Sequence, residues 1–412
     1  MLPAGILASA LFALLVFAPL ASATSDPVAS GTTTITLNNG WTKYLKTFGI
    51  KIQKISPAKV KGQKVTFTVT GGTIDPTNGL GSLTLGGGLK FKAGKKSTTV
   101  KALVLDTAKN TLTGKVGGKK VKIAKTSGLS ISRNGFGVNA NLKKLKLENA
   151  AAKQLNAKLG FSKGTPKPFL KNKLIGKSAS EAQPSTVAVI ATNNLTFTGA
   201  PTLLTKLSNV EAKIELIPPT TQAGAVFTGP ILGGTVSPTA TAGVVQSGVG
   251  LKLVQNLFKG PSTTITLGGM YLDLSAKTVT VEVIAESNAE VGGKKPLNLG
   301  NLGRSSIADL TVTGVTADPA TRTVNVNSAA VLQPISAEVL QGFVSVYTGY
   351  IEAATYQGTK AFLESPEGGS KPPAEAEAIA KVKAKEAGEK AAKNKIAAGE
   401  ALGTFSFTAQ TQ

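Results

Sequence analysis

Cysteine and histidine are both absent from this chain of 412 residues. Their absence excludes disulfides, iron–sulfur clusters, metal sites with Cys or His ligands, and nucleophiles that depend on a Cys or a His base. Aromatic residues make up only 5% of the chain, so stacking platforms for bases or sugars are few. We therefore expect no metal site.

Acidic residues are scarce in the first part of the chain. Residues 31–180 contain 29 Lys and Arg but only three acids, which is a net charge of +26. Residues 181–412 contain 17 Lys and Arg and 18 acids, which is a net charge of −1. The basic excess of the whole chain, +24, therefore lies in its first part.

The N-terminus reads as a secretory signal. An apolar run from Ala4 to Phe17 precedes the small residues Ala21-Ser22-Ala23, although no Lys or Arg precedes the run. The alternative, a membrane anchor, needs a span of about 20 apolar residues. The sequence predicts a signal peptide over 1–23 and a secreted or cell-envelope protein.

An internal repeat organises the rest of the chain. Residues 71–91 and 233–253 align without a gap and are identical at ten of 21 positions. The segment 174–183 is similar in the same way to 401–410. The repeat predicts two domains, over 31–185 and 193–412, with a helical insertion at about 341–400 in the second.

The pattern inside each copy favours antiparallel β-structure. Branched or aromatic residues alternate with Thr or Lys in runs such as 65–69 and 279–283, separated by turn residues. Short amphipathic helices are indicated after the first strand of each copy and again near its end, over 150–160 and 329–340. We expect two tandem, sandwich-like β-rich domains, each with two short helices.

The insertion is rich in Lys, Ala and Glu from 374 to 398. This composition has high helix propensity but almost no apolar stripe. It predicts a solvated helix, with coiled-coil pairing as the alternative.

Candidates for catalysis are few. Asp75 is replaced by Ser237 in the second copy, and Asp106, like its counterpart Asp273, lies in a predicted hairpin turn. Both acids are therefore interpreted as turn formers. The glycine clusters lie between strands and not between a strand and a long helix, so they do not predict phosphate-binding loops. We expect a protein that is not an enzyme.

The lysines of the first copy suggest a different activity. Only three of the basic residues are Arg, which disfavours bidentate recognition of bases and hence a specific nucleic-acid partner. Lysines suit non-specific attraction to an anionic cell-wall polymer or lipid surface. The candidate contacts are Lys119, Lys120, Lys143 and Lys144. The alternative is that these lysines only solvate the outer faces of strands.

Five segments of the first copy resemble the HtaA domain, a β-rich module of exported Gram-positive cell-surface proteins. They are residues 65–76, 86–91, 103–107, 116–120 and 147–156. The resemblance spans most of the first copy and, more loosely, the second. It implies two HtaA-type domains in tandem.

The resemblance also implies haem, which well-known members of the family bind through a tyrosine supported by a histidine. Tyr44 is the position here that matches the tyrosine, with Trp41 as a ring to lie on the porphyrin, and Leu204 aligns with Tyr44 in the second copy. A phenolate can ligate ferric haem alone. The alternative is that Trp41 and Tyr44 are core residues of an amphipathic helix.

Three hypotheses about function follow. The chain is an exported binding or structural protein of the envelope, a haem-binding surface protein that uses Tyr44, or a basic module that docks on anionic wall polymer.

Overall fold

The computed structural model describes residues 25–162, 166–191, 193–258, 261–288 and 300–411. The predicted signal peptide, 1–23, lies outside these residues. The chain divides into two compact units. Domain 1 contains the described residues through Ala188, together with Asp318–Arg322 and Thr411, and domain 2 contains Val189–Ala317 and Thr323–Gln410.

Domain 1 is built around a closed antiparallel sheet. Its strands are β1 (Asp26–Leu37), β2 (Ile50–Ile55), β3 (Lys59–Lys61), β4 (Lys64–Ile74), β5 (Gly81–Ala93), β6 (Lys96–Asp106), β7 (Thr111–Val116), β8 (Lys119–Asn134), β9 (Gly137–Leu147), β10 (Leu174–Pro184) and the short β11 (Val187–Ala188). Eight of them form a ring in the order β5-β6-β7-β8-β9-β10-β1-β4, because β4 also pairs with β5. A closed ring removes the free edges that an open sheet exposes.

Alternation along the strands sets the inside and outside of this barrel. In β4, Val65, Phe67 and Val69 are buried while the threonines between them face outward. Eight strands enclose just enough space for such side chains to fill. The predicted alternation is thus confirmed, and the core of the domain lies inside the barrel.

Two short helices complete domain 1, α1 (Asn39–Thr47) and α2 (Asn149–Leu159). The Asn38 side chain caps α1 by accepting a hydrogen bond from the Trp41 amide at 2.9 Å. Gly49 and Gly160 follow the helix ends in left-handed conformations, with φ of 65° and 87°. Both helices lie where the amphipathic pattern predicts them.

Domain 2 repeats this plan. Its strands are β12 (Asn194–Gly199), β13 (Ala212–Ile217), β14 (Thr221–Ala223), β15 (Val226–Val236), β16 (Gly243–Ser247), β17 (Gly250–Asn256), β18 (Ser262–Asp273), β19 (Thr278–Ser287), β20 (Gly300–Asp318), β21 (Thr323–Leu332) and β22 (Ala401–Gln410). The order β15-β12-β22-β21-β20-β19-β18-β16 again closes a ring of eight.

The first part of each domain matches residue by residue. Helix α3 (Pro201–Asn209) begins 162 residues after α1, at 201 against 39, and has the same length. Strands β13, β14 and β15 likewise begin 162 residues after β2, β3 and β4. The constant offset gives every residue from 37 to 74 an unambiguous counterpart.

The repeated Gly-Gly pair has a physical cause. Gly72 and Gly234 both follow a bulge and have φ of +126° and +125°. A Cβ at either position would lie 2.0 Å from a backbone oxygen of the neighbouring strand, that of Ser82 or Val244. Only glycine fits such a close approach, which is why this motif survives in both copies.

The second helix of domain 2 differs from its counterpart. The predicted helix over 329–340 begins too early, because β21 continues to Leu332 and α4 occupies Pro334–Glu364. The segment 334–344 packs on the barrel much as α2 does, burying Leu340, Phe343 and Val344. Beyond it α4 continues for five further turns.

The Lys/Ala/Glu-rich segment forms α5 (Pro373–Ala392), which pairs with α4. Its buried residues are small ones spaced about one turn apart: Ala376, Ala380, Ala384, Gly388 and Ala391. The helix is therefore half covered, and not fully solvated as predicted. A stripe of small residues lets two helix backbones approach closely, which a hydrophobicity pattern does not register.

The mainly β fold in two tandem antiparallel domains, with a helical insertion in the second, is confirmed. Among the residues that the structure describes, no helix is both long and apolar enough to span a membrane.

Candidate functional site

Helix α1 carries the two residues that the sequence proposed for haem, and it separates them. Trp41 is only 3% exposed and packs edge-on against Phe91 and Phe169, with ring centroids 6.5 and 6.4 Å away. The indole therefore belongs to the core in this conformation, and a ligand could reach its face only if this packing opened.

Tyr44 lies at the surface, on a different side of the helix. Its half-buried ring meets Phe48 edge-on at 5.1 Å, and Phe48 in turn meets Phe161 at 5.9 Å. The exposed hydroxyl donates to the Lys167 carbonyl oxygen at 3.2 Å, and the Lys173 ammonium stands 6.0 Å from the ring centroid. The phenol oxygen is thus accessible and close to positive charge.

The counterpart of Tyr44 in domain 2 is Lys206, because the offset is 162 residues. The alignment of Leu204 with Tyr44 was wrong by two residues, since Leu204 is the counterpart of Thr42. Lys206 donates to the Lys395 carbonyl oxygen at 2.7 Å and pairs with Glu400 at 2.8 Å. In both domains this helix position is tied to the loop before the last strand.

A cleft lies on the opposite side of α1 from Tyr44. It is open to solvent, measures about 750 Å³ and is bounded by the helix, β2 and β3. Its volume falls in the range of small-molecule sites. The buried Leu37, Leu45 and Ile50 form its apolar floor, and Ile52 and Val60 line its walls.

The rim of the cleft is polar and cationic. The exposed lysines Lys43, Lys46 and Lys51 stand around it, together with amide side chains such as Gln53, and no acid lines it. The sequence analysis missed this cleft, because the residues that form it come from three separate elements. The amphipathic pattern of α1 revealed only the face that packs on the barrel.

The four predicted lysine contacts are exposed but do not lie together. Lys119 and Lys120 begin β8, whereas Lys144 pairs with Ser127, seven residues further along that strand. At about 3.3 Å per residue this is a separation of roughly 23 Å. The structure instead places Lys120 beside lysines that the sequence did not single out.

Strand register aligns these lysines into rows. Lys101 of β6 lies directly opposite Lys115 of β7, and Lys115 lies directly opposite Lys120 of β8. Lys125 of β8 lies directly opposite Lys146 of β9. We call these two sets the lysine rows; all five side chains are exposed, and none of the residues directly opposite them is an acid.

The acids considered for catalysis serve as turn formers. The Asp75 carboxylate accepts hydrogen bonds from the Thr77 amide and hydroxyl and from the Asn78 side chain, at 2.6–2.8 Å. Desolvation pushes the pKa of Asp75 upward, but these hydrogen bonds outweigh it and hold the pKa below its usual value. Asp106 similarly accepts from the Lys109 amide at 2.7 Å.

Within the described ranges, no group of three or more acidic, His or Cys side chains is placed to hold a metal ion.

Both domains belong to the class of closed, eight-stranded antiparallel barrels with a helix following the first strand. Solved structures similar to this chain come from Corynebacterium glutamicum. They are the N-terminal domain of HtaA (11% identity, 54% of this chain, 98% of that one, TM-score 0.33), the C-terminal domain of HtaA (12%, 38%, 98%, 0.29) and the heme binding protein HtaB (13%, 55%, 97%, 0.31).

These structures come from the family that the sequence resembles, and the expected HtaA-like fold in tandem copies is confirmed. No protein-family model and no curated protein sequence matches the chain. At these identities and TM-scores the function has to be argued from the residues of this chain.

Proposed function

We propose that this chain is a non-catalytic binding protein, exported to the cell envelope, whose domain 1 docks on anionic cell-wall polymer. The observation that carries the proposal is the pair of lysine rows, in which like charges face each other across neighbouring strands. Directly opposed side chains have Cβ atoms about 4.5–5.5 Å apart, and like charges at this distance destabilise a sheet.

An anion placed over such a row relieves the repulsion. Each bound phosphate or carboxylate replaces a lysine–lysine contact by two favourable ones, so binding is stronger than it would be to isolated lysines. The rows contain no Arg, whose planar fork would select particular groups. The surface therefore recognises the spacing and sign of charge along a polymer and not a sequence or a single headgroup.

Co-sedimentation of the full chain with purified, protein-free cell wall tests this proposal. The bound fraction is expected to fall steeply as NaCl rises, because exposed charges more than about 8 Å apart are screened at physiological ionic strength. The triple variant K101Q/K115Q/K120Q should lose most of the binding, whereas the domain 2 variant Lys277→Gln should retain it. Equal binding by both variants would mean that the lysine rows only solvate the barrel.

Haem is a second candidate, because the phenol oxygen of Tyr44 is accessible and lies near Lys173. The residues fit a single axial ligand: Tyr44 would supply its oxygen to ferric iron, and lysines of the neighbouring loop would meet the propionates. Haem so bound would serve as cargo, and no residue of the described chain is placed to act as a histidine support.

Titration with ferric haem tests this second candidate. Tyrosine ligation should produce a Soret shift with a charge-transfer band that Tyr44→Phe abolishes, while Tyr271→Phe leaves both unchanged. An unaltered spectrum at stoichiometric haem would reject haem binding through Tyr44 and would leave the polymer proposal untouched.

A further inference from the structure

The cleft beside α1 combines two properties that are rarely found together at a protein surface. Its floor is aliphatic, formed by Leu37, Leu45 and Ile50, and its rim carries positive charge without a neighbouring acid. An aliphatic floor gains from covering hydrocarbon, at about 25 cal/mol per Å² of apolar surface removed from water. The rim gains from an anionic group at one end of that hydrocarbon.

From this combination we infer that the cleft binds a long-chain fatty acid, with the acyl chain on the aliphatic floor and the carboxylate among Lys43, Lys46 and Lys51. Ring stacking has no part in the site, because no aromatic side chain lines the cleft. A flexible acyl chain matches branched aliphatic walls such as Ile52 and Val60. Carboxylate and ammonium form charge-assisted hydrogen bonds, the stronger kind.

Domain 2 supplies an internal comparison, because the offset of 162 gives each rim residue a counterpart. Two of the three lysines are replaced, Lys43 by Thr205 and Lys46 by Ser208. Two positions become acidic, since Gly49 corresponds to Glu211 and Gln53 to Glu215. The same backbone therefore carries a cationic rim in domain 1 and a mixed or acidic rim in domain 2.

The interior of the cleft differs as well. Thr42 of domain 1 corresponds to Leu204, whose side chain reaches over Gly199 so closely that a Cβ there would lie 3.1 Å from it. Gly199 corresponds to Leu37, which is already part of the floor in domain 1. A leucine at position 42 would find no such space beneath it and would project into the cleft.

The comparison provides two variants that convert the cleft toward its domain 2 counterpart. Thr42→Leu fills the space for the acyl chain, and Gln53→Glu places an acid on the rim, as Glu215 does. Lys54→Gln is the matched control, because Lys54 is an exposed lysine of the same strand that does not line the cleft.

Isothermal titration calorimetry of the full chain with laurate, below its micelle concentration, tests the inference. Laurate is expected to bind at one site, and Thr42→Leu and Gln53→Glu should each weaken it at least about tenfold, or 1.4 kcal/mol. Lys54→Gln and the lysine-row variant Lys115→Gln should change the affinity less than about twofold. Acetate and dodecyl maltoside, which offer only the headgroup or only the chain, should bind at least about tenfold more weakly than laurate.

Fluorescence of Trp41, the single tryptophan, verifies that each variant is folded, since a buried indole emits at shorter wavelength than an exposed one. If Thr42→Leu perturbs that emission, Gln53→Glu, at an exposed strand position, carries the test. Laurate binding that both variants leave intact, binding of dodecyl maltoside equal to that of laurate, or no laurate binding at all would overturn the inference.

Discussion

The two domains share a backbone plan but treat charge in opposite ways. In domain 2, Glu215 lies directly opposite Lys252 and Glu282 directly opposite Arg304, with N–O distances of 3.3 and 3.2 Å. The position equivalent to the first pair in domain 1 is Gln53 opposite Lys90, with no acid. Domain 2 thus neutralises its cations across strands, whereas domain 1 leaves them available.

This difference teaches that the fold does not require the charge. Residues 37–74 keep their counterparts at a constant offset, although the net charge of 31–180 differs from that of 181–412 by 27. What both copies preserve is the backbone geometry, such as the two Gly-Gly bulges. The lysine rows are therefore a property of one copy's surface, on which the proposed binding depends.

Replacing the shared glycines should have the largest effect, and it should be the same in both domains. Gly72→Ala and Gly234→Ala each force a Cβ to within 2.0 Å of a backbone oxygen at a positive φ. We expect each to cost about 3 kcal/mol or more of the stability of its own domain. Chemical denaturation monitored by circular dichroism measures this cost.

Gly268→Ala is the control for both, because no atom lies within 4 Å of its Cβ position and its φ is not in the left-handed region. A mild effect of Gly72→Ala or Gly234→Ala, equal to that of the control, would contradict the shared-geometry account.

A pH dependence should distinguish domain 1. Burial raises the pKa of Asp26 to about 6, against the lowering effects of the Ala188 amide, 3.4 Å away, and the charge of Arg133. Because this pKa exceeds the usual 3.8, the folded state binds the proton more tightly. The contribution of Asp26 to stability is therefore greatest below about pH 4 and falls as the pH rises toward 6.

Asp26→Asn should remove this dependence and stabilise domain 1 by about 1–2 kcal/mol at pH 7, allowing for partial solvent screening. Thermal unfolding from pH 4 to 7 measures it as a widening difference in Tm between variant and parent. A difference that stays constant across this range would show that Asp26 titrates normally.

The tie between helix and loop should matter more in domain 2. Lys206→Met removes a part-buried ion pair to Glu400 and a hydrogen bond to Lys395, so it should cost about 1 kcal/mol. Tyr44→Phe removes one exposed hydrogen bond of 3.2 Å and should cost less than about 0.5 kcal/mol. Urea midpoints of the two variants give the comparison, which a larger effect of Tyr44→Phe would reverse.

The sequence predicted the elements of each domain better than their mutual positions. Alternation along 65–69 and the cap at Asn38 are local signals, so β4 and α1 were found. The pairing of Lys101 with Lys115 depends on register between strands, which is decided by bulges and turn geometry and leaves no local pattern. The helix predicted from 329 failed because Ala329 and Ala330 suit a helix intrinsically, whereas pairing with β22 holds them in a strand.

The site illustrates the same limit. Tyr44 and Trp41 share a helical spacing, but that spacing could not show that one ring enters the core and the other remains at the surface. The alignment of Leu204 with Tyr44 failed because the helices were matched by their apolar residues; the strand bounds supply the correct offset.

A smaller effect should appear when a lysine row is broken by an opposite charge. Lys115→Glu replaces two repulsions, with Lys101 and Lys120, by two attractions, and should stabilise domain 1 by a few tenths of a kcal/mol. Lys252→Glu in domain 2 should do the reverse, because it places a carboxylate opposite Glu215. Denaturant midpoints at low salt measure both, and shifts of the same sign would contradict the contrast between the domains.

The most direct test of the central claim is the salt dependence of binding to an anionic wall polymer, measured for the full chain and for two charge-matched variants. The variant K101Q/K115Q/K120Q in domain 1 should bind more weakly and with a shallower dependence on NaCl. The variant K213Q/K252Q/K277Q in domain 2 should reproduce the parent's affinity and slope. Equal losses from the two variants would contradict the assignment of binding to domain 1.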